Sequence, residues 1–364
     1  MSHLLEVEDL EVSFRTEEGV VRAVDGVSFH LDRGEVLAIV GESGSGKSVS
    51  VMTLMGLTRS PNARFSGSAR LRVDRPGEGD VTVGSEVELI GASDEVLRRV
   101  RGKDIAMVFQ DPMTSLNPVL RVGDQIAEQI LAHEDVSEAE ARERVVALLE
   151  RVGIPRPAER ARAYPHEFSG GMRQRAMIAM ALSCGPSVLI ADEPTTALDV
   201  TIQAQILDEL KQLRDSGEAG VILVTHDLGV VAEIADRIAV MYGGRIVEEG
   251  TLDEIFYDPQ HPYTWGLLGS IARIDRPRPE RLPAIPGLPP SLHDPPEGCH
   301  FRPRCPHEFG RCAQTPPLEA RVPGVGGHRD RCWLDCEAKR ERRVVADGQI
   351  GLAPKEAAAG RRDG

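Results

Sequence analysis

The sequence has few aromatic residues and no excess of positive charge, and each shortage disfavours a class of protein. Aromatic residues make up 4% of the chain, so the stacking platforms that bind single-stranded nucleic acid are not expected. Against 43 Lys and Arg stand 57 Asp and Glu, a formal net charge of -14. Because nucleic-acid binding requires a basic face, we expect no nucleic-acid partner.

Long apolar runs are also lacking. No 18 consecutive residues are apolar, so no membrane-spanning helix is predicted. The first residues, 1–12, are acidic and have neither the basic nor the apolar part of a secretory signal, which predicts a chain that stays in the cytosol. Thiols there are kept reduced, so the six cysteines indicate metal binding or no special role before disulfides.

Strand-like and helix-like segments alternate in an order that predicts an α/β fold with a parallel sheet. Residues 36–40 are apolar throughout, as in a buried parallel strand. Residues 137–152 have the period of an amphipathic helix, with Ser137 as its N-cap. The stretch 61–95 predicts an antiparallel β region with an insertion at 75–80. Further strands are predicted at 4–14, 27–31, 69–73, 81–90, 188–191 and 221–225, and helices at 200–214 and 228–235.

A phosphate-binding loop is predicted at residues 41–48, Gly-Glu-Ser-Gly-Ser-Gly-Lys-Ser, directly after the apolar segment 36–40. Glycines at these positions allow a tight loop whose N–H groups face a phosphate, and the next helix adds its positive end. We expect Lys47 to pair with the β- and γ-phosphates and Ser48 to hold Mg²⁺. The strand-then-helix context disfavours the alternative, a merely flexible Gly/Ser loop.

Two carboxylates follow another apolar segment, 188–191. Ligands of open α/β sheets bind at the carboxyl ends of strands, so we expect Asp192 on the Mg²⁺ side. Glu193 is expected to orient the attacking water or take its proton. A strand that ends in a solvated turn would explain the acidic pair alone, but not the pair together with a phosphate loop upstream.

The segment 168–175, F-S-G-G-M-R-Q-R, resembles the signature motif of ATP-binding cassette (ABC) proteins, usually L-S-G-G-Q. The chain departs from that form at the first and fifth positions and retains Ser169, Gly170 and Gly171. We expect Ser169 to cap a helix that runs to about Ser183, with the glycines exposing its first N–H groups to an anion.

Other ABC motifs occur in the family's order. Gln110 matches the Q-loop, residues 196–199 match the D-loop, and His226 matches the switch histidine. Phe14 lies where the family places an aromatic residue against adenine. Alone, a Gln or His would mean little, but five motifs in the right order exclude coincidence.

The resemblance implies a P-loop NTPase fold: a RecA-like core, an antiparallel β subdomain and a helical subdomain at about 112–185. Two subunits would dock head to tail, so that Ser169, Gly170 and Gly171 of one complete the partner's ATP site. Mg²⁺ would be bound through Ser48, Gln110 and Asp192, and Glu193, His226 and Gln110 would be catalytic. The predicted ATP-binding residues are Phe14, Gly41, Ser43, Gly44, Ser45, Gly46, Lys47, Ser48 and Val49.

Three stretches resemble the peptide and nickel importer branch of the family: 110–118, 164–167 and 261–264. The branch implies ATP-driven import of di- or oligopeptides, with nickel or another solute as the alternative. It also implies a non-identical sister ATPase, two integral membrane subunits and an external solute-binding protein. The chain would lie at the cytoplasmic side of the membrane. The transported solute is determined by those other chains.

A cysteine-rich module is predicted at 299–342, after the ATPase domain 1–260 and a proline-rich, extended connector 261–298. The charged tail 343–364 is predicted to be disordered. Cys299, Cys305, Cys312 and Cys332 have the spacing C-x5-C-x6-C-x19-C, which is not a zinc-ribbon pattern. A module this small gains from a metal. Resemblance to related importers favours [4Fe–4S], while zinc and reduced thiols remain alternatives. Other possible ligands are His300, His307 and His328, whereas Cys184 is expected to be a small buried apolar residue and Cys336 trails the motif.

Two other functions compete with an importer subunit. ABC ATPases of DNA repair carry a long coiled coil between Q-loop and signature, and no heptad run separates Gln110 from Ser169. Ribosomal relatives usually carry two cassettes, and one is found here. A regulatory module with an inactive site is disfavoured because Lys47, Glu193 and His226 are all present.

Overall fold

The computed structural model describes residues 3–73, 85–111, 115–195, 200–217, 219–270, 285–320, 327–346 and 349–351. The strands are β1 Leu5–Thr16, β2 Gly19–Leu31, β3 Val36–Val40, β4 Ala63–Val73, β5 Ser85–Glu88, β6 Ile105–Val108, β7 Val188–Asp192, β8 Gly220–Thr225, β9 Arg237–Tyr242, β10 Arg245–Thr251, β11 Glu319–Ala320, β12 Arg329–Asp330, β13 Val344–Ala346 and β14 Gln349–Gly351. The helices are α1 Lys47–Leu54, α2 Asp94–Val100, α3 Val122–His133, α4 Glu138–Arg151, α5 Pro157–Arg160, α6 Gly170–Leu182, α7 Val200–Asp215, α8 Leu228–Ile234, α9 Leu252–Tyr257, α10 Pro262–Gly269 and α11 Cys336–Arg342.

The larger sheet has the order β11-β12-β10-β9-β3-β8-β7-β6 in the described residues. From β9 to β6 the neighbouring strands run parallel, which confirms the predicted parallel core. β3, β7 and β8 are buried at every position, because helices cover both faces of such a sheet and leave no polar side to alternate with.

The smaller sheet is antiparallel, with the order β2-β1-β4-β5, as predicted for this part of the chain. β2 begins at Gly19, well before the predicted start at residue 27. The prediction missed the first half of the strand because buried and exposed residues alternate only weakly there. The predicted insertion at 75–80 lies outside the described residues. One apolar core joins this sheet to α1 and the parallel strands, so the two sheets share their packing.

The helical region packs on the other face of the parallel sheet. Its main members, α3, α4 and α6, lie within the predicted range 112–185 and share one apolar core with β7 and β8. Ser137 accepts a hydrogen bond from the backbone N–H of Glu140 at 3.2 Å, which confirms it as the N-cap of α4. None of the helices in the described ranges is long and apolar enough to cross a lipid bilayer.

The extended conformation predicted for the start of the connector is wrong. The segment expected to be an extended connector begins with α10, whose Tyr263 and Trp265 are completely buried. Pro262 does not prevent the helix, because the first helical position needs no backbone donor, and His261 caps it by accepting from Tyr263 N–H at 3.1 Å. The cassette core therefore continues into α10.

The carboxyl-terminal module extends the larger sheet instead of forming a separate unit. Its strand β12 pairs antiparallel with β10, and β11 pairs with β12. Disorder was predicted for 343–364, but β13 and β14 form an antiparallel pair within this stretch. The rest of the tail, 352–364, lies outside the described residues.

Candidate active site

Four parallel strands deliver the predicted site residues to one edge of the sheet. β3 leads into the loop 41–48, β6 is followed closely by Gln110, β7 ends at Asp192 next to Glu193, and β8 is followed by His226. Because β6, β7, β8 and β3 are consecutive neighbours running in one direction, their carboxyl ends meet. The topology thereby explains why residues far apart in sequence form one site.

The phosphate loop requires glycine for reasons of space as well as of backbone conformation. A Cβ added to Gly41 would lie 2.1 Å from the carbonyl oxygen of Met241, and one added to Gly46 would lie 2.2 Å from that of Ala23. Both glycines also have positive φ. The loop is therefore seated directly on the backbone of β9 and β2, and no side chain fits between them.

Lys47 is buried in the loop that it is expected to serve. Its Nζ atom donates to the carbonyl oxygens of Gly41 at 2.8 Å and Glu42 at 3.0 Å. Burial lowers the pKa of this ammonium, opposed by the charges of Glu193, Asp192 and Glu42. Among the described residues its hydrogen bonds go to backbone oxygens alone, so its charge is available to a phosphate.

Ser48 and Asp192 form the candidate Mg²⁺ site. The Ser48 hydroxyl donates to Asp192 Oδ1 at 2.9 Å, and burial raises the pKa of the Asp192 carboxyl. Asp192 Oδ2 is also buried and has no hydrogen-bond partner among the described residues. A buried, unpartnered carboxylate oxygen beside a hydroxyl fits a hard divalent cation such as Mg²⁺.

The Glu193 carboxylate is held by a contact at each oxygen. Gln110 donates from Nε2 to Oε2 at 2.9 Å, and Nδ1 of His226 lies 3.0 Å from Oε1. The backbone of Glu193 has φ +47°, a left-handed conformation that costs a non-glycine residue roughly 1–2 kcal/mol. Such strain at a functional position is typical of a residue whose direction matters.

Ser169 caps α6 as predicted, accepting from Met172 N–H at 3.3 Å. Ser169 and Gly170 are exposed, and a Cβ on Gly170 would meet nothing within 4 Å. In the described residues no hydrogen bond joins this turn to the loop 41–48. Within one chain the signature turn is therefore an open surface.

The remaining predicted ATP-binding residues lie in the loop, directly after it or on β1. Ser43 and Gly44 are exposed, Ser45 is buried, and Val49 is half-buried on α1. Phe14 lies on β1, paired with Val21 and Ala63 of the flanking strands, and its contact with adenine stays a prediction. The D-loop residues 196–199 lie outside the described residues.

Sequence reasoning missed Gln174, which lies on α6 with its side chain buried. Its Nε2 donates to the carbonyl oxygen of Pro194 at 2.9 Å, so the signature helix is tied to the segment directly after Glu193. The signal that could have found it is its place three residues after the signature glycines, where an inward-facing polar side chain needs a buried partner.

Comparison with known proteins identifies the family. The ABC transporter profile matches residues 24–196, and the profile of the oligopeptide/dipeptide transporter C-terminal region matches residues 247–312. The oligopeptide transport ATP-binding protein OppD of Bacillus subtilis is 55% identical over 92% of this chain and 89% of its own length. This chain belongs to the ABC transporter family.

Further relatives and solved structures agree. The dipeptide transport ATP-binding protein DppD of Bacillus subtilis is 50% identical over 96% of this ABC ATPase and 99% of its own length. A dimeric ATP-binding cassette in a post-hydrolysis state, bound to ADP and Pi, matches with a TM-score of 0.58 and 26% identity, covering 68% of this chain and 98% of that one. The cbiO1 cassette of Clostridium perfringens matches with a TM-score of 0.54 and 29% identity, covering 71% and 92%.

The cysteines of this ABC ATPase converge on one place in the carboxyl-terminal module. Cys299, Cys305, Cys312 and Cys332 line a single small cavity, and Cys299 N–H donates to the carbonyl oxygen of Cys312 at 3.0 Å. Burial raises the pKa of Cys299 to about 11 and that of Cys332 to about 12. No three of these sulfur atoms lie within 4.8 Å of one another in the described residues.

The histidines considered as alternative ligands divide into two groups. His300 Nδ1 is bonded to the carbonyl oxygen of Gly243 at 2.7 Å, and His328 Nε2 to Glu248 Oε1 at 2.8 Å, so both face the cassette. His307 lines the cysteine cavity. Cys184 lies just past the end of α6, half-buried, with its sulfur 3.6 Å from the carbonyl oxygen of Gln129.

Proposed function

We propose that this ABC ATPase hydrolyses MgATP to ADP and phosphate to energise the import of di- or oligopeptides. The observation that carries the catalytic part is the Glu193 carboxylate, fixed between Gln110 and His226 at the edge where Lys47 and Asp192 also lie. Glu193 orients a water molecule and accepts its proton as the oxygen attacks the γ-phosphorus, and ADP leaves as the P–O bond breaks. Lys47 neutralises charge on the phosphates.

Ser48, Asp192 and Gln110 are the residues that would hold Mg²⁺; in the structure Gln110 donates to Glu193. An ion held there would supply positive charge to neutralise the phosphates. The chain's own contribution is to keep the Asp192 carboxylate buried and aimed by the Ser48 hydroxyl.

The functional unit is a dimer in which the turn 169–171 completes the nucleotide site of the partner. Support comes from the exposure of Ser169 and Gly170 on the isolated chain and from the dimeric arrangement of the solved cassette with 26% identity. We further propose that the partner is a non-identical sister ATPase, as in the importer branch that the sequence resembles.

Peptide import is supported by two relatives, an oligopeptide and a dipeptide transport ATP-binding protein, each of which matches over most of its length. The complex would also contain two integral membrane subunits and an external solute-binding protein, with this chain on the cytoplasmic side of the membrane. Nickel or another solute is the alternative cargo, and a non-transport ATPase is the alternative function.

Reconstitution tests the transport role. The chain is co-expressed with its neighbouring permease and ATPase subunits, purified, and placed in proteoliposomes with the solute-binding protein. ATP-dependent uptake of a radiolabelled dipeptide and pentapeptide is compared with uptake of nickel, with Glu193→Gln as the matched control. Uptake of nickel alone would replace the peptide assignment, and failure to co-purify with any membrane subunit would overturn the importer proposal.

The cysteine module is proposed to hold a [4Fe–4S] cluster. Four thiols from separate segments line one cavity, and thiolates are the ligands of both clusters and zinc. The resemblance to related importers is what favours the cluster, and zinc stays the alternative.

Anaerobic purification tests this assignment. Iron, sulfide and zinc contents and the visible absorbance are measured for the wild type, Cys305→Ser and Cys184→Ser. We expect iron and sulfide in the wild type and in Cys184→Ser, whose cysteine lies outside the cavity, and their loss in Cys305→Ser. A wild-type protein with neither metal would refute the proposal, and one with zinc alone would replace the cluster.

A further inference from the structure

Glu42, the second residue of the phosphate loop, is held from three directions. Its N–H donates to the hydroxyl of Tyr263 at 2.9 Å, its carbonyl oxygen accepts from Lys47, and its carboxylate faces Arg304. Tyr263 lies on α10 and Arg304 in the cysteine module. Both contacts thus come from beyond the cassette that the sequence motifs define.

The Arg304 guanidinium is fixed in place by several hydrogen bonds. Its Nη1 and Nη2 atoms donate to the two oxygens of Glu42 at 2.8 Å and 3.2 Å, and Nε and Nη2 donate to the carbonyl oxygens of Pro286 and Ile285 at 2.9 Å and 3.1 Å. Nη1 also lies 3.3 Å from the hydroxyl of Tyr242, and the residue is 7% exposed. A two-pronged guanidinium–carboxylate contact fixes direction as well as distance.

The module that carries Arg304 is anchored at its other end by separate contacts. Asp330 of β12 pairs with Glu248 of β10, and within the module its carboxylate forms an ion pair with Lys339 at 2.7 Å in which both side chains are 1% exposed. Arg329 of β12 pairs with Glu249 of β10 at 2.7 Å. The position of Arg304 is therefore set by the docked module and not by a flexible side chain reaching from solvent.

We propose that Arg304 is a positioning residue for ATP binding, which neutralises Glu42 and so holds the phosphate loop in its binding conformation. This inference rests on the proposed ATPase function. An unpaired carboxylate within a loop that binds a polyanion repels the ligand and is free to turn toward it. Arg304 removes that charge and simultaneously ties the loop to the segment directly before Cys305, so the module and the nucleotide site are mechanically joined.

Nucleotide binding by the full-length chain tests the proposal. The affinity for MgATP carrying a fluorescent methylanthraniloyl group is measured for the wild type, Arg304→Met, Arg304→Lys and the double variant Arg304→Met/Glu42→Gln. We expect Arg304→Met to weaken binding about tenfold, Arg304→Lys to lie between, and the double variant to recover most of the loss because no unpaired charge remains.

Arg329→Met is the matched control, since it breaks an ion pair between the same module and the cassette but away from the loop. It is expected to change the affinity by less than about twofold. An equal loss in Arg304→Met and Arg329→Met, or a double variant as weak as Arg304→Met, would overturn the proposal. In the assembled complex the KM for ATP should rise in Arg304→Met while kcat stays within about twofold.

Further results distinguish failure of the Arg304 positioning role from failure of the proposed ATPase function. If Arg304→Met does not fold, Arg304→Lys and Arg304→Lys/Glu42→Gln carry the same comparison, and no recovery in that pair contradicts the proposal. If the wild type binds no MgATP, the proposed ATPase function fails first. Binding in the wild type with no effect at Arg304 refutes only the positioning role.

Discussion

The Oε1 atom of Glu193 lies 3.0 Å from Nδ1 of His226. The contact joins the ends of two adjacent strands, because Asp192 on β7 pairs with Val224 on β8. The Glu193 side chain is 15% exposed and that of His226 60%, so most of the histidine side chain stays accessible while it contacts the carboxylate. His226 can therefore orient Glu193 while its own ring still reaches the space where a γ-phosphate is expected.

We expect His226→Ala to lower kcat for ATP hydrolysis by about 100-fold, because Glu193, the proposed general base, loses the group that orients it. The affinity for ATP should change by less than about threefold. His226→Asn, whose amide can stand near the position of Nδ1, should retain more activity than His226→Ala. Steady-state hydrolysis by the assembled complex measures this, and wild-type kcat in His226→Ala would contradict the role.

The strained backbone of Glu193 predicts an unusual order of stabilities. Glu193→Gly should be more stable than Glu193→Ala by about 1 kcal/mol, because glycine tolerates φ +47° without the Cβ penalty. Both variants should lose hydrolysis. At Glu143, an exposed position inside α4, the order should be reversed, since alanine favours a helix by about 1 kcal/mol over glycine. Thermal unfolding of the four variants measures these differences. If the glycine variant is the less stable one at both positions, the backbone of Glu193 is not strained.

Gly170→Ala should separate folding from function. A Cβ at this position meets nothing within 4 Å in the chain, so the thermal midpoint should be unchanged or slightly raised, and MgATP binding by the isolated chain should be retained. In the assembled dimer we expect at least about a tenfold loss of ATPase activity, because the methyl group would crowd the partner's phosphate. Full activity of the assembled variant would mean that this turn does not complete a site.

His30 predicts a pH-dependent term in stability. Burial, together with the charge of Arg237, lowers its pKa from 6.5 to about 4. The unfolded chain therefore takes up a proton below about pH 6.5 that the folded chain does not bind, so this stability is present above pH 6.5 and falls as the pH drops toward 4. The slope is at most about 1.4 kcal/mol per pH unit for one proton.

His30→Gln is the variant that tests this term, because its amide oxygen can replace Nε2 as the acceptor for Arg237. We expect the variant to lose less thermal stability than the wild type between pH 7 and pH 5. Equal losses in the two proteins would show that another group titrates.

Prediction from sequence succeeded for features that depend on a short local pattern of residues. The strand 36–40 and the Ser137 and Ser169 caps follow from patterns only a few residues long. It failed at residues 261–270, because proline content indicates what a segment cannot form in its interior and says nothing of a helix that begins at Pro262. Gln174 and Arg304 were missed because a single polar residue has no signal until its buried partner is known.

The amino-acid sequence by itself determined the phosphate loop, the acidic pair, the signature turn and the family, because each depends on residue types at short, fixed spacing. Only the tertiary structure decided which side chains meet: Glu193 with Gln110 and His226, Asp192 with Ser48, and Glu42 with Arg304. The physical reason is that these contacts join strand ends and a distant module, whose positions depend on sheet order and core packing across the whole chain.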